Sequence, residues 1–179
     1  MAGDQSDGIY GLASGGIELT FPLLADESIA IYRGEIGFWI GDSAELSNEP
    51  RLVTLSAATD CRMLHIPHQA IRSLLAERAQ FWQCFYRLSH INNTTAITLV
   101  AESLSLSVRA RICRRLLKLT EAAPELELTQ DQLAKLLGLA RTTVSSELAR
   151  LAAKGAVSIG YGKLRVLDRQ KLEVHKNEQ

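Results

Sequence analysis

The sequence predicts an α+β chain: a front of short β-strands rolled on itself, a long helix, and a C-terminal winged helix–turn–helix. Three observations carry that expectation. Between residues 8 and 66, short apolar runs alternate with glycine-bearing turns, the spacing of a sandwich or barrel-like roll. After Pro67 the apolar period changes to three and four, which marks helices. Finally, "LTQDQLAKLLGLARTTVSSELARLAAKG" (128–155) reads as a short helix, a break at Gly138 and a longer helix, and two short strands follow it.

The front elements follow in order. "IYGLASGGIELTF" sets two apolar runs around Ser14-Gly15-Gly16, a hairpin signal. "SIAIYRG" (28–34) and "GFWIGD" (37–42) read as further strands, and "RLVTLSA" (51–57) and "CRMLHIP" (61–67) alternate up to Pro67. Ile71, Leu74 and Leu75 then give a short amphipathic helix, and a longer one is expected from about Ala79 to Ser103. Phe81, Phe85, Leu88, Asn92, Thr95 and Leu99 alternate by four and three along it, a ragged coiled-coil seam in which Asn92 would fix register. The same stripe could instead pack on the chain's own roll. "NNTT" (92–95) is poor helix material in isolation, so something must hold it, and a partner helix is the expectation.

Ser107 can cap the next helix, whose face is Val108, Ile112, Leu116 and Leu119. "EAAPELE" (121–127) breaks it. Thr129 caps a helix carrying Leu133, Ala134, Leu136 and Leu137, and Gly138 supplies the turn. In the next helix Val144, Leu148 and Leu151 share a buried face, while Thr142, Ser145, Ser146 and Ala149 share the opposite one. Small residues there allow close approach to a surface. Arg141 opens the helix, where a recognition helix meets base edges in the major groove. Arg pairs bidentately with guanine, and Thr or Ser takes a base edge or a phosphate. "AVSIGYGKLRVLD" (156–168) makes a strand pair with Lys163 and Arg165 placed for phosphate, and "RQKLEVHKNEQ" ends as a short polar helix or a frayed tail. A plain helical hairpin explains the buried residues equally well, but explains the strand pair behind it less well.

Of 179 residues, 46% are hydrophobic, enough for one sizeable domain or two small ones. Residues 1–104 hold six Lys/Arg against twelve Asp/Glu, and residues 105–179 fourteen against eight. The basic back half can face a polyanion. Cys61, Cys84 and Cys113 are scattered, so reduced thiols in the cytoplasm are expected, with no zinc or iron–sulfur site. No signal peptide or bilayer-length apolar run is present. His65 and His68 sit an odd number of positions apart, facing opposite sides of a continued strand. With no P-loop, GxGxxG or Ser/His/Asp pattern, neither a catalytic nor a metal site is expected. A cupin-like metalloenzyme is the rejected alternative.

The β-roll, the long helix, "SVRARICRRLLKLT" (107–120) and above all residues 128–155 with their wing resemble the Crp/Fnr family of bacterial transcription regulators. That resemblance implies a cyclic-nucleotide-domain-like roll over 1–78, a dimerisation helix over 79–104 and a DNA-binding winged helix–turn–helix over 105–179. It implies a homodimer on two-fold symmetric double-stranded DNA, with RNA polymerase as a further partner. Arg141 matches the family's guanine-reading arginine, Thr129 and Thr143 match phosphate-contacting positions, and Thr142 and Ser146 match base-reading positions. Cyclic-AMP-responsive members carry Glu and Arg at the last two, so a different operator is expected. In "GDSAELSNEPRL" (41–52), Gly41 and Arg51 match the effector cradle, Asp42 stands where the family has Glu, and Leu52 replaces a hydroxyl donor. Burying a phosphate without its donors is costly, which argues against a cyclic nucleotide and leaves the effector unknown. The roll begins late against the family pattern, as in a truncated sensor. A chain that only dimerises with longer regulators is therefore the alternative function.

Overall fold

The computed structural model describes residues 1–23, 27–121 and 123–179. It forms two compact units, Met1–Thr98 and Leu99–Gln179. The division falls inside the long helix.

The first unit is a roll of two three-stranded antiparallel sheets. One has the order β4-β1-β6 (Trp39–Ile40, Gly8–Ser14, Arg62–Pro67) and the other β3-β2-β5 (Ser28–Gly34, Ile17–Pro22, Thr54–Ala57). Leu12, Ile17 and Leu19 are buried between the sheets, with Phe38, Ile40, Leu55 and Met63 packed on them. This arrangement corrects the expected hairpin at Gly15-Gly16. The two strands flanking it do not pair. β1 bonds to β4 and β6, and β2 to β3 and β5. Two apolar runs about a glycine pair fit a corner between packed sheets as well as a hairpin, and here burial of both inner faces decides for the corner. A short helix absent from the sequence reading, α1 (Asp42–Ser47), follows β4.

Helix α2 (His68–Glu77) and the long helix α3 (Phe81–Ser105) as far as Thr98 complete this unit. Ile9, Ile71 and Phe85 form a second core with Trp39, Ile66, Leu74, Phe81 and Leu88. The first part of the stripe expected to be a dimer seam, Phe81, Phe85, Leu88 and Asn92, thus packs on the chain's own roll. Asn92 ties α3 to the chain's own roll: its Nδ2 donates to the Trp39 carbonyl (3.1 Å) and to Asp42 Oδ1 of α1 (2.9 Å). Periodicity identifies a buried face without saying what buries it, and for these residues the roll does. The roll anchors the weak "NNTT" segment through Asn92.

In the second unit, Ser107 caps α4 (Val108–Leu119) by accepting from the Ala110 amide at 3.2 Å. Ile112, Leu116, Leu133, Leu148, Leu151 and Leu164 are among its most deeply buried residues. Helices α5 (Gln130–Leu137) and α6 (Arg141–Ala153) precede strands β8 (Val157–Gly160) and β9 (Lys163–Val166). "EAAPELE" is more than a breaker: Glu125–Glu127 is a strand, β7, in a sheet of order β7-β9-β8. The tail is helical, α7 (Arg169–His175), with Asp168 accepting from the Gln170 and Lys171 amides.

The three cysteines are free, Cys84 exposed and Cys113 buried. Burial first, then the nearby Glu178 charge, pushes the Cys113 thiol up to about 11. Since the thiolate is the nucleophile, iodoacetamide at pH 8 is expected to label Cys84 first and to reach Cys113 only on unfolding, as read by peptide mass spectrometry.

Candidate nucleic-acid interface

The interface is built on the α5–α6 pair. Thr129 opens α5 with a reciprocal capping box: its Oγ1 accepts from the Gln132 amide (3.1 Å), and Gln132 Oε1 accepts from the Thr129 amide (2.8 Å). Such a cap contributes about 1 kcal/mol. Gly138 ends α5 at φ 61, a left-handed conformation that glycine adopts without a Cβ clash. The Arg111 guanidinium donates to the Leu137 carbonyl at the same turn.

Helix α6 buries Val144, Leu148 and Leu151 and exposes Arg141, Thr142, Ser146 and Ala149, with Ser145 and Thr143 half-buried. Ala140 stands at its N-cap without a side-chain bond, so N–H groups of the first turn remain open to an anion. Among the described residues no ion pair or hydrogen bond holds the Arg141 side chain. Glu147, which the sequence reading passed over, accepts from Arg109 Nε of α4 at 3.0 Å and from Arg150 at 2.5 Å. The i, i+3 spacing to Arg150 was visible; the tie to α4 was not.

The wing is charge-neutral on its outer face. Register sets Glu125 opposite Arg165 and Glu127 opposite Lys163. Lys163 Nζ lies 3.0 Å from Glu125 Oε1. That hydrogen bond holds the Glu125 carboxyl below its ordinary range and the Lys163 ammonium above its own. Lys163 must therefore leave Glu125 to meet a phosphate. The excess of cations in the back half is likewise partly structural. Arg109 binds Glu147, Arg114 binds Glu102 and the Lys176 carbonyl, and Arg169 binds the Leu117 and Thr120 carbonyls. The composition argument counted these arginines as if they were available to DNA.

In the roll, the residues matched to an effector cradle are engaged by different partners. Gly41 caps α1 in the left-handed region. Asp42 is 3% exposed and accepts from Ser89 (2.5 Å) and Asn92 (2.9 Å). Arg51 instead pairs with Asp7 and lies 5.6 Å from the Tyr10 ring centroid. Tyr10 donates to Asp7 Oδ2 at 2.7 Å and stacks on His65 with centroids 4.4 Å apart. Burial works against the Asp7 charge, but the bonds from Tyr10 and Arg51 outweigh it and hold the carboxyl below its usual value. His68 Nδ1 lies 2.7 Å from the buried Glu45 Oε1. Among the described residues no group of three or more His, Cys, Asp or Glu could hold a metal, and no helix is long and apolar enough to cross a membrane.

Comparison with known proteins follows the same division. Residues 1–78 match the cyclic nucleotide-binding domain family, and residues 110–174 the Crp-like helix-turn-helix domain family. The transcriptional regulator SdrP of Thermus thermophilus is 30% identical over 142 residues, 74% of this chain and 65% of that protein. A CRP-like cAMP-activated global transcriptional regulator of Mycobacterium tuberculosis is 26% identical over 137 residues, 69% of this chain and 59% of that protein. The chain thus spans less than two thirds of either relative. Among solved structures, a transcriptional regulator of the CRP/FNR family from Thermus thermophilus superposes with a TM-score of 0.74 at 24% identity, covering 99% of this chain and 91% of that one. FixK2 from Bradyrhizobium japonicum reaches 0.80 at 16% identity, over 98% and 91%. These two show a shared fold.

Proposed function

Since the chain belongs to the Crp/Fnr family of transcription regulators, we propose that it is a sequence-specific DNA-binding transcription regulator. The observation that carries this reading is Arg141: an exposed guanidinium with no protein partner among the described residues, at the open N-terminus of a helix whose opposite face is fully buried. Arg141 reads guanine, and Thr142, Ser145 and Ser146 read neighbouring bases. Thr129 and Thr143 meet phosphate, joined by Arg165 and, once it leaves Glu125, by Lys163.

The protein acts as a homodimer, and the outward face of α3 is its seam. Trp82, Tyr86, Ile97, Val100 and Leu104 are all exposed along that helix, an apolar stripe that a monomer rarely leaves in water. Within the roll Asp7 already neutralises Arg51, so an anionic effector would have to displace it. A cyclic nucleotide is therefore disfavoured and no cofactor is assigned. RNA polymerase and the bacterial cytoplasm are the setting that this function implies.

The test is selection from a random duplex pool at fixed salt. The expected product is a palindrome with half-site centres about one helical turn, roughly 34 Å, apart. A pool that returns no enriched palindrome sinks the proposal and favours a chain that only dimerises with other regulators.

A further inference from the structure

The end of α3 and its junction with α4 contribute nothing to a core. None of residues 99–107 is buried, and polar bonds tie this stretch to α4. The Arg114 guanidinium of α4 gives each of its nitrogens to a different residue. Nη1 donates to Glu102 Oε1 of α3 at 2.9 Å, Nε to the Lys176 carbonyl at 2.7 Å and Nη2 to Asn177 Oδ1 at 2.7 Å. One residue further along, the Glu178 carbonyl accepts from the Ser107 amide at 2.9 Å, at the junction itself. The Glu178 carboxylate lies 3.7 Å from Arg109 Nη1, and Arg109 Nε bonds to Glu147 of α6. Residues 176–178 thus strap α3, the junction and α4 together.

We propose that this strap fixes the angle between α3 and α4 and so sets the half-site spacing that the dimer accepts, with Arg114 as its positioning residue. This rests on the DNA-binding homodimer proposed above. Val100 and Leu104 of the proposed seam, Arg114 and the reading helix α6 all belong to the second unit. Glu102 stands two residues from each of those seam positions, about 200° around the helix. One face of α3 is then free for a partner helix while the other takes Arg114. Helix α4 is tied in turn to α6 by the Arg109–Glu147 pair. The path from seam to reading helix therefore runs through the junction that the strap holds. Moving one half-site by a base pair displaces it by about 3.4 Å and turns it by about 35°. A rigid path cannot follow that step. A loosened path can, but it must be ordered on binding, which costs affinity at the preferred spacing. Lysine cannot stand in for Arg114, because one ammonium does not present a fixed fork to three partners.

The experiment uses the duplex that the wild-type protein selects from the random pool, versions with the half-sites one base pair closer or farther, and one with a single intact half-site. Wild type is expected to lose about tenfold or more on either shift of spacing. Arg114→Met and Arg114→Lys are expected to bind the selected duplex about tenfold more weakly and to lose less than about threefold on a shift. Both should bind the single half-site like wild type. A wild-type spacing penalty in the variants overturns the proposal. So does a parallel loss on the single half-site, because Arg114 would then only support the domain. Should a melting curve show that the Arg114 variants do not fold, Asn177→Ala carries the same test. Asn177 is exposed, and its loss should cut the spacing penalty by about twofold to threefold; an unchanged penalty overturns the proposal there too. A wild-type protein that selects no duplex, or that sediments as a monomer, instead brings down the reading on which the strap rests, and either result is seen before any variant is measured.

Discussion

Arg141→Ala is expected to cost roughly 1–3 kcal/mol of operator affinity, about five- to 150-fold, and to flatten base preference at one position of each half-site. The guanidinium is exposed and makes no ion pair among the described residues, so its removal should leave folding stability within about 0.5 kcal/mol of wild type. The loss is then one of recognition. Arg141→Lys should not restore preference, because an ammonium cannot present two parallel donors to guanine. The measurement is competition binding with duplexes changed one base pair at a time, beside a melting curve for each variant. A variant that discriminates like wild type at every position would show that another side chain reads the operator.

The winged domain was the most legible part of the chain because its signals are local. A capping threonine, a turn glycine and an apolar spacing of four and three each act within a few residues. The roll was less legible, because its decisions are made at long range. Gly15-Gly16 could close a hairpin or turn a corner, and only the packing of two sheets distinguishes them. Asp7 and Arg51 are 44 positions apart, and no local pattern announces that they pair. Net charge misled in a similar way. Arg109, Arg114 and Arg169 add to the basic count while tying α4 to α6 and to the tail. Lys163 stands opposite acids that come from a segment read as a mere helix breaker. Counting charges finds the sign of a region, but only hydrogen-bond partners show which charges remain available.

The replacement Ile97→Glu with Leu104→Glu is expected to turn a dimer into a monomer and to cost the operator complex about two to four orders of magnitude. The sequence alone put the seam at Phe81, Phe85, Leu88, Asn92, Thr95 and Leu99. Phe85 and Leu88 lie in the core of the roll instead, and Asn92 is bonded to Asp42 and Trp39. Moving one residue along a helix turns the face by about 100°, and from Phe81, Phe85 and Leu99 that step lands on Trp82, Tyr86 and Val100, all exposed. Ile97, Val100 and Leu104 follow each other by three and four, at 69%, 58% and 83% exposure. A two-fold axis along this stripe repeats every substitution, so the double variant sets four carboxylates into the seam. An unpaired buried charge costs several kcal/mol, more than such a contact can absorb. Each monomer then holds a single half-site and loses the effective-concentration advantage of the second, worth about 10² to 10⁴. Sedimentation equilibrium and operator titration read the two effects separately. Phe85→Ala is the contrasting control. It should destabilise the roll by about 3–5 kcal/mol while leaving the mass of the folded protein dimeric well below its melting point. If the double glutamate variant stays dimeric and Phe85→Ala dissociates, the seam lies on the other face.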